Sequence, residues 1–191
     1  MPTWDNTPRL DRQMPLQGVL QSGATYWTLP YTDKTIDFAV LAHSAFGADE
    51  GKVVPVATAS NVAVADGDYT AGCAILGRGY SQIIDLGRLY LRDQRGQAIL
   101  SGRVRLGEIT VVHHDTGYYR VALTPSSSNI RTRRKEFDAT GNDVEQVGQL
   151  QMFMGHFAER VTIEIVNDQP DPSTISAIEF DADYTPNTRL A

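Results

Sequence analysis

The residues best suited to chemistry are His113, His114 and Asp115, because histidine and carboxylate side chains can ligate a metal or pair as a base and its orienting group. They are consecutive, however, and consecutive residues of a strand point to opposite faces of the sheet, so both histidines cannot easily ligate one metal. The triplet also ends at Asp115 directly before Thr116-Gly117, and aspartate, threonine and glycine in this order favour a turn. We therefore predict that the triplet marks a hairpin turn and not a site.

The other reactive side chains are isolated in the sequence. His43 and His156 have no partner nearby, and Cys73 is the only cysteine, which excludes an internal disulfide. Cys73 lies in an apolar run and is predicted to be a small core residue. Neither a nucleophile elbow nor a phosphate-binding loop of the Gly-x-x-x-x-Gly-Lys type occurs. We expect no catalytic residue, no cofactor and no metal, and hence a protein that is not an enzyme.

Three carboxylates, Glu179, Asp181 and Asp183, alternate with apolar residues near the end of the chain. Paired carboxylates can perform acid–base chemistry or hold calcium. The alternation itself has a simpler explanation, which is a strand with one buried and one solvated face. We predict that the three carboxylates line the solvated face.

A basic cluster, Arg131, Arg133, Arg134 and Lys135, stands out in a chain whose net charge is −6. It falls in a long polar stretch that begins at Pro125, and we predict a loop there. One interpretation is a solvated, mobile loop, which is usual for blocks of like charge. The other is an interface loop that contacts an acidic neighbour or nucleic-acid phosphate.

The stretch from Leu89 to Thr124 shows how these residues are positioned. A polar turn at 93–96 precedes two alternating segments, 104–112 and 118–124, which we interpret as strands of a β-meander joined at the turn 114–117. The alternation of the first segment changes phase at Gly107-Glu108, which predicts a β-bulge.

Alternating runs separated by turn residues fill most of the remaining sequence, and no long amphipathic helix stands out. The fold class predicted is all-β, with two small antiparallel β-sandwich or barrel-like domains and long loops. We place the first domain at 19–79 and the second at 80–191. Residues 1–18, which hold three prolines, are predicted to form an N-terminal arm or linker.

Composition narrows the class of protein further. The acidic balance, with a pI near 5.1, argues against a sequence-reading nucleic-acid binder but not against a wall that DNA slides past. No apolar run reaches the roughly 18 residues of a membrane span, and no secretory signal is recognisable. We expect a soluble product made in a cytoplasm.

Several segments spread along the sequence form a recognisable set. They are Trp27-Thr28-Leu29-Pro30-Tyr31, Leu91-Arg92-Asp93-Gln94, Ala98-Ile99-Leu100, Gly102-Arg103, Asp115-Thr116-Gly117-Tyr118, Val161–Asp168, Pro172-Ser173-Thr174 and Ser176-Ala177 with Glu179. Together these segments resemble the C-terminal part of podovirus tail tubular protein B, the nozzle protein family of short-tailed bacteriophages, and the similarity covers most of the chain.

The resemblance implies a structural protein of the virion tail, made in the host bacterial cytoplasm. Nozzle proteins assemble as a homo-oligomeric ring, usually a hexamer, and contact adaptor or portal-side tail proteins. The ring extends the genome exit channel, through which DNA passes without sequence-specific binding. Family members are several times longer and have a propeller-like region upstream. The resemblance implies no membrane contact, and the family has no catalytic residues to carry over.

An alternative function remains open from the residues alone, a carbohydrate- or receptor-binding β-sandwich at the tail tip. Exposed aromatic rings stack on sugars, and Trp4, Trp27 and Tyr80 are the candidates for that role.

Overall fold

A computed structural model describes residues 9–32, 35–99, 102–127, 132–139 and 145–186. In this part of the chain the regular structure is fifteen β-strands and two short 3-10 helices, Ser44–Asp49 and Ala158–Arg160. The strands form four antiparallel sheets, none of which closes into a barrel within the described ranges. The all-β prediction is confirmed.

The chain divides into two compact units, with the main division between Ser81 and Gln82. The segment Asp168–Pro172 also belongs to the first unit, although it lies far along the sequence. The strands of the first unit are β1 (Asp11–Gln17), β2 (Val19–Gln21), β3 (Ala24–Thr28), β4 (Phe38–Val40), β5 (Val53–Pro55), β6 (Ala57–Ala59), β7 (Val62–Asp66) and β8 (Cys73–Arg78). They form two sheets, ordered β1-β8-β4-β5 and β2-β3-β7-β6.

The core of the first unit surrounds Trp27, which is fully buried. The rings of Trp27 and Tyr69 stack with their centroids 6.4 Å apart. Several core neighbours are alanines, namely Ala39, Ala63, Ala65 and Ala74. Short side chains on the strands therefore leave room for one large indole ring between the sheets.

Two predictions for the first unit are wrong. The predicted N-terminal arm does not extend to residue 18, because Asp11–Gln17 pairs with β8 as an edge strand. Leu10, just before this strand, is buried. Residues 1–8 lie outside the described ranges. Cys73 is exposed and not a core residue. It begins β8 with its side chain on the opposite face from Ala74, which is buried, so the apolar run misled the assignment.

The strands of the second unit are β9 (Gln82–Asp85), β10 (Gly102–Thr116), β11 (Tyr118–Pro125), β12 (Arg133–Asp138), β13 (Glu145–Phe157), β14 (Val161–Asn167) and β15 (Thr174–Pro186). They form one sheet ordered β13-β10-β15 and a second ordered β12-β11-β14-β9. Buried aliphatic and sulfur-containing side chains from β10, β11, β13 and β14 make up the core.

The β-bulge predicted at Gly107-Glu108 is confirmed. The register of β10 shifts between Leu106 and Glu108 against both of its neighbours, β13 and β15. The shift moves the buried face from Leu106 to Ile109 and Val111, all of which are almost fully buried. The bulge thus lets one fifteen-residue strand keep its apolar side chains on the core side.

The predicted β-meander is wrong, because β10 and β11 lie in different sheets. The turn predicted at 114–117 is wrong in extent, because the triplet His113, His114 and Asp115 belongs to β10 and only Gly117 lies between β10 and β11. The chain changes direction beside Asp115, whose φ is 45°. It leaves one sheet there and enters the other, so the two strands face each other across the core and form no hairpin. The alternation of Tyr119, Val121 and Leu123 is the same whichever strand they pair with, and so it could not reveal the partner.

The predicted loop is also wrong in part. Arg133–Asp138 forms β12, paired along its length with β11, whereas Arg131 and residues 140–144 lie outside the described ranges. Phe137 packs against the core directly opposite Tyr119 and anchors this strand, which is otherwise polar.

Candidate assembly surfaces

The histidines of the triplet point to opposite sides of β10, as predicted. His113 is fully buried, with its Nδ1 2.9 Å from the Tyr119 hydroxyl and its ring centroid 4.2 Å from that of Phe137. His114 Nδ1 lies 2.6 Å from the Ser176 hydroxyl. The triplet therefore brings no two of these imidazole and carboxylate groups together at one site.

Sequence reasoning missed the buried cluster of His113, Tyr119 and Phe137. The signal was present, because His113 continues the inward positions of Ile109 and Val111. The cluster joins both sheets of the second unit, since His113 lies on β10 and the other two rings lie on β11 and β12. It is a structural element of the core.

The two histidines that are isolated in the sequence, His43 and His156, lie at positions that the fold explains. His43 caps the first 3-10 helix, because its Nδ1 accepts a hydrogen bond from the backbone N–H of Ala45 at 3.1 Å. His156 lies on β13 opposite Leu106. Among the described residues no group of three or more histidine, cysteine, aspartate or glutamate side chains is placed to hold a metal ion.

The basic cluster occupies an edge strand. Arg133, Arg134 and Lys135 are exposed on β12, whose second edge pairs with no other strand of the described chain. Their partners on β11 are Leu123, Ala122 and Val121 in that order. Because paired residues share a face, Arg133 and Lys135 lie on the core side of the sheet and Arg134 on its outer side.

Lys135 spans the open side of the sandwich. Its Nζ donates a hydrogen bond to the backbone carbonyl of Gln151 on β13, 2.5 Å away. In the described structure no hydrogen bond or ion pair is found for the side chains of Arg133 and Arg134. Inward-pointing charges at a sheet edge oppose uncontrolled pairing with another strand, so any partner of this edge must match its charge.

The three alternating carboxylates lie on β15, the edge strand of the other sheet, and all are exposed as predicted. Glu179 is paired with Thr110, Asp181 with Glu108, and Asp183 with Arg105. None of the three carboxylates forms an ion pair or hydrogen bond within the described ranges. The second unit therefore carries a basic edge strand in one sheet and an acidic edge strand in the other.

The structure places the aromatic residues that were candidates for stacking on sugar rings. Trp27 is fully buried and cannot stack on a sugar ring. Tyr80 is 45% exposed, and Trp4 lies outside the described residues. The structure thus removes the central residue of the sugar-binding hypothesis.

No helix of the described chain has the length and apolar character needed to cross a membrane. The sequence matches the bacteriophage nozzle protein family over residues 9–190, nearly its whole length. The chain belongs to this family, and the resemblance inferred from the sequence is confirmed.

The family is structural and non-enzymatic in kind, and the chain is a structural component of a phage tail. No curated protein sequence matches it.

Proposed function

We propose that the chain assembles with copies of itself into a ring, of the hexameric kind expected for nozzle proteins, and that the ring forms part of the genome exit channel. Family membership supports a place in the tail. The observation that supports self-assembly is the uncovered edge strand β12, because its unpaired backbone N–H and C=O groups are open to another strand, and its basic side chains restrict the partner to an acidic one.

The interface residues proposed are Arg133, Arg134 and Lys135, together with Arg131, which lies outside the described ranges. Guanidinium groups form bidentate contacts with carboxylates and are enriched at interfaces. Adaptor or portal-side tail proteins are further partners under this proposal. A charge-based contact predicts that assembly weakens as the salt concentration rises.

The proposed role toward DNA is passive. A net charge of −6 repels phosphate weakly, so DNA passes such a wall without being gripped. Sequence-specific recognition requires a basic face that presents side chains to base edges, and the acidic balance of this chain argues against one.

The test is native mass spectrometry and sedimentation of the purified chain, wild type against Arg133→Ser with Arg134→Ser. We expect an oligomer for the wild type, and a shift toward monomer for the double variant and at high salt. The matched control is Arg88→Ser with Arg92→Ser, two exposed arginines of the same unit, which should assemble as the wild type does. A wild-type chain that stays monomeric and binds no other tail protein would contradict the proposal.

A further inference from the structure

The face that carries the β15 carboxylates holds more acidic than basic side chains around Asp181. Glu108 on β10 is paired directly with Asp181, and Glu179 and Asp183 flank Asp181 at alternate positions of β15, whereas Arg105 is the cation directly opposite Asp183. Like charges directly opposite each other on neighbouring strands destabilise a sheet. A cationic partner that covers this face would relieve the repulsion.

The basic strand of the same copy cannot supply that partner. Lys135 contacts β13, so β12 lies beside the β13 edge of the facing sheet. β13 and β15 flank β10 on opposite sides, which separates the acidic edge from the β13 edge by two strand spacings, roughly 10 Å. The two charged strands therefore lie at opposite edges of one sandwich.

We propose that the edge strand β12 of one copy docks alongside the edge strand β15 of the next, so that the basic strand with Arg133, Arg134 and Lys135 lies next to the acidic strand with Glu179, Asp181 and Asp183. This inference rests on the proposed self-assembly and specifies which surfaces meet. The second copy is the favoured occupant because the two edges have opposite charge, and each side chain except Lys135 has no ion pair or hydrogen bond within the described chain.

The contact joins two different surfaces and is therefore heterologous. A heterologous contact repeats from copy to copy and closes into a ring when the rotation between copies allows it. A two-fold symmetric contact would instead bring basic strand against basic strand or acidic against acidic, and like charges would oppose it. The placement of the charges at opposite edges thus favours a repeating head-to-tail assembly over a symmetric dimer.

The test uses two charge-reversed chains. The first carries Glu179→Lys with Asp181→Lys, and the second carries Arg133→Glu with Arg134→Glu. Each variant alone presents like charges at every contact, so its self-association should weaken by at least about tenfold. When the variants are mixed in equal amounts, every contact pairs opposite charges, and alternating assemblies should form at the mass of the wild-type oligomer or of a nearby even-numbered ring.

A matched control carries Asp37→Lys with Asp66→Lys, two exposed carboxylates of the first unit, and should assemble as the wild type does. Far-UV circular dichroism of each variant establishes that it is folded. The substituted side chains are all exposed, so wild-type spectra are expected.

Two results would overturn the inference and leave the proposed ring standing. One is wild-type assembly of the first variant, which would show that β15 is not the docking surface. The other is a failure of the two folded variants to assemble when they are mixed. Intact self-assembly of the Arg133→Glu, Arg134→Glu variant together with lost binding of a DNA probe would likewise show that β12 is not the docking strand. A monomeric wild type would instead overturn the proposed function itself, and the inference with it.

Discussion

The first unit packs eight strands of three to seven residues around one indole ring, whereas the second packs strands of up to fifteen residues around many branched aliphatic side chains. Short strands offer few inward positions, and here several of them are alanines, so the contacts concentrate on Trp27. In the second unit the core contacts are distributed over the side chains of four strands, β10, β11, β13 and β14. We therefore expect the stability of the first unit to depend more strongly on single residues than the stability of the second unit does.

Trp27→Ala should have the largest effect. It removes the ring at the centre of the first core and should lower the free energy of unfolding by about 3–5 kcal/mol. Hydrogen exchange followed by mass spectrometry should show lost protection in β3 and β7 and retained protection in β10 and β11. Tyr80→Ala, at an exposed position, should stay within about 0.5 kcal/mol of the wild type. Equal loss of protection in both units would contradict the comparison.

Two glycines test how tightly each unit is packed. A Cβ at Gly18 would lie 2.3 Å from the Thr25 methyl group and 3.0 Å from the indole nitrogen of Trp27. Thr25 cannot move aside, because its hydroxyl donates to the Gly67 carbonyl at 2.7 Å and accepts from the N–H of Tyr69 at 2.8 Å. Gly18→Ala should therefore destabilise the chain by about 1–3 kcal/mol in urea unfolding.

Gly102→Ala is the control in the second unit. A Cβ there would lie 2.4 Å from the ring of Tyr184, but that ring is 36% exposed, so moving it sacrifices less buried contact than moving Thr25 does. We expect a smaller loss of stability than for Gly18→Ala. A larger loss of stability at Gly102 would show that the exposure of the neighbouring side chain does not set the cost of the added methyl group.

Tyr119→Phe tests a buried polar contact in the core of the second unit. The change keeps the ring and removes the hydroxyl that lies 2.9 Å from His113 Nδ1, so a buried imidazole nitrogen loses this partner. Urea unfolding should show a loss of about 1–2 kcal/mol, well below that of Trp27→Ala. Tyr90→Phe, at an exposed position, provides the control and should leave stability unchanged. A loss as large as that of Trp27→Ala would show that the second unit also depends on a single residue.

The smallest effect on stability is expected for a substitution in the turn after β7, which contains Asp68 and Thr70. Hydrogen bonds from the Thr70 hydroxyl at 2.7 Å and from its backbone N–H at 3.1 Å hold the pKa of Asp68 below its ordinary value. A carboxyl whose pKa is depressed by folding adds stability above its unfolded pKa, and that stability is lost as the pH falls through the folded pKa. Thr70→Val should raise the pKa of Asp68 part of the way back, as followed by NMR titration. An unchanged pKa would show that the hydroxyl has no part in the shift.

The sequence alone determined which side of each long strand is buried. The alternation of Tyr119, Val121 and Leu123 predicted one buried face, and the phase change at Gly107-Glu108 predicted the bulge. These features are local, because successive side chains of a strand alternate whatever the strand pairs with. Family membership was likewise readable from the sequence.

Only the tertiary structure decided which strands pair. It placed β10 and β11 in different sheets, made a strand of Arg133–Asp138 through its pairing with β11, and put Cys73 on the exposed face. It also separated the basic and acidic strands to opposite edges of one sandwich. Strand partners are set by hydrogen bonds and packing between residues far apart in the chain, and a local pattern of residue types does not contain that information.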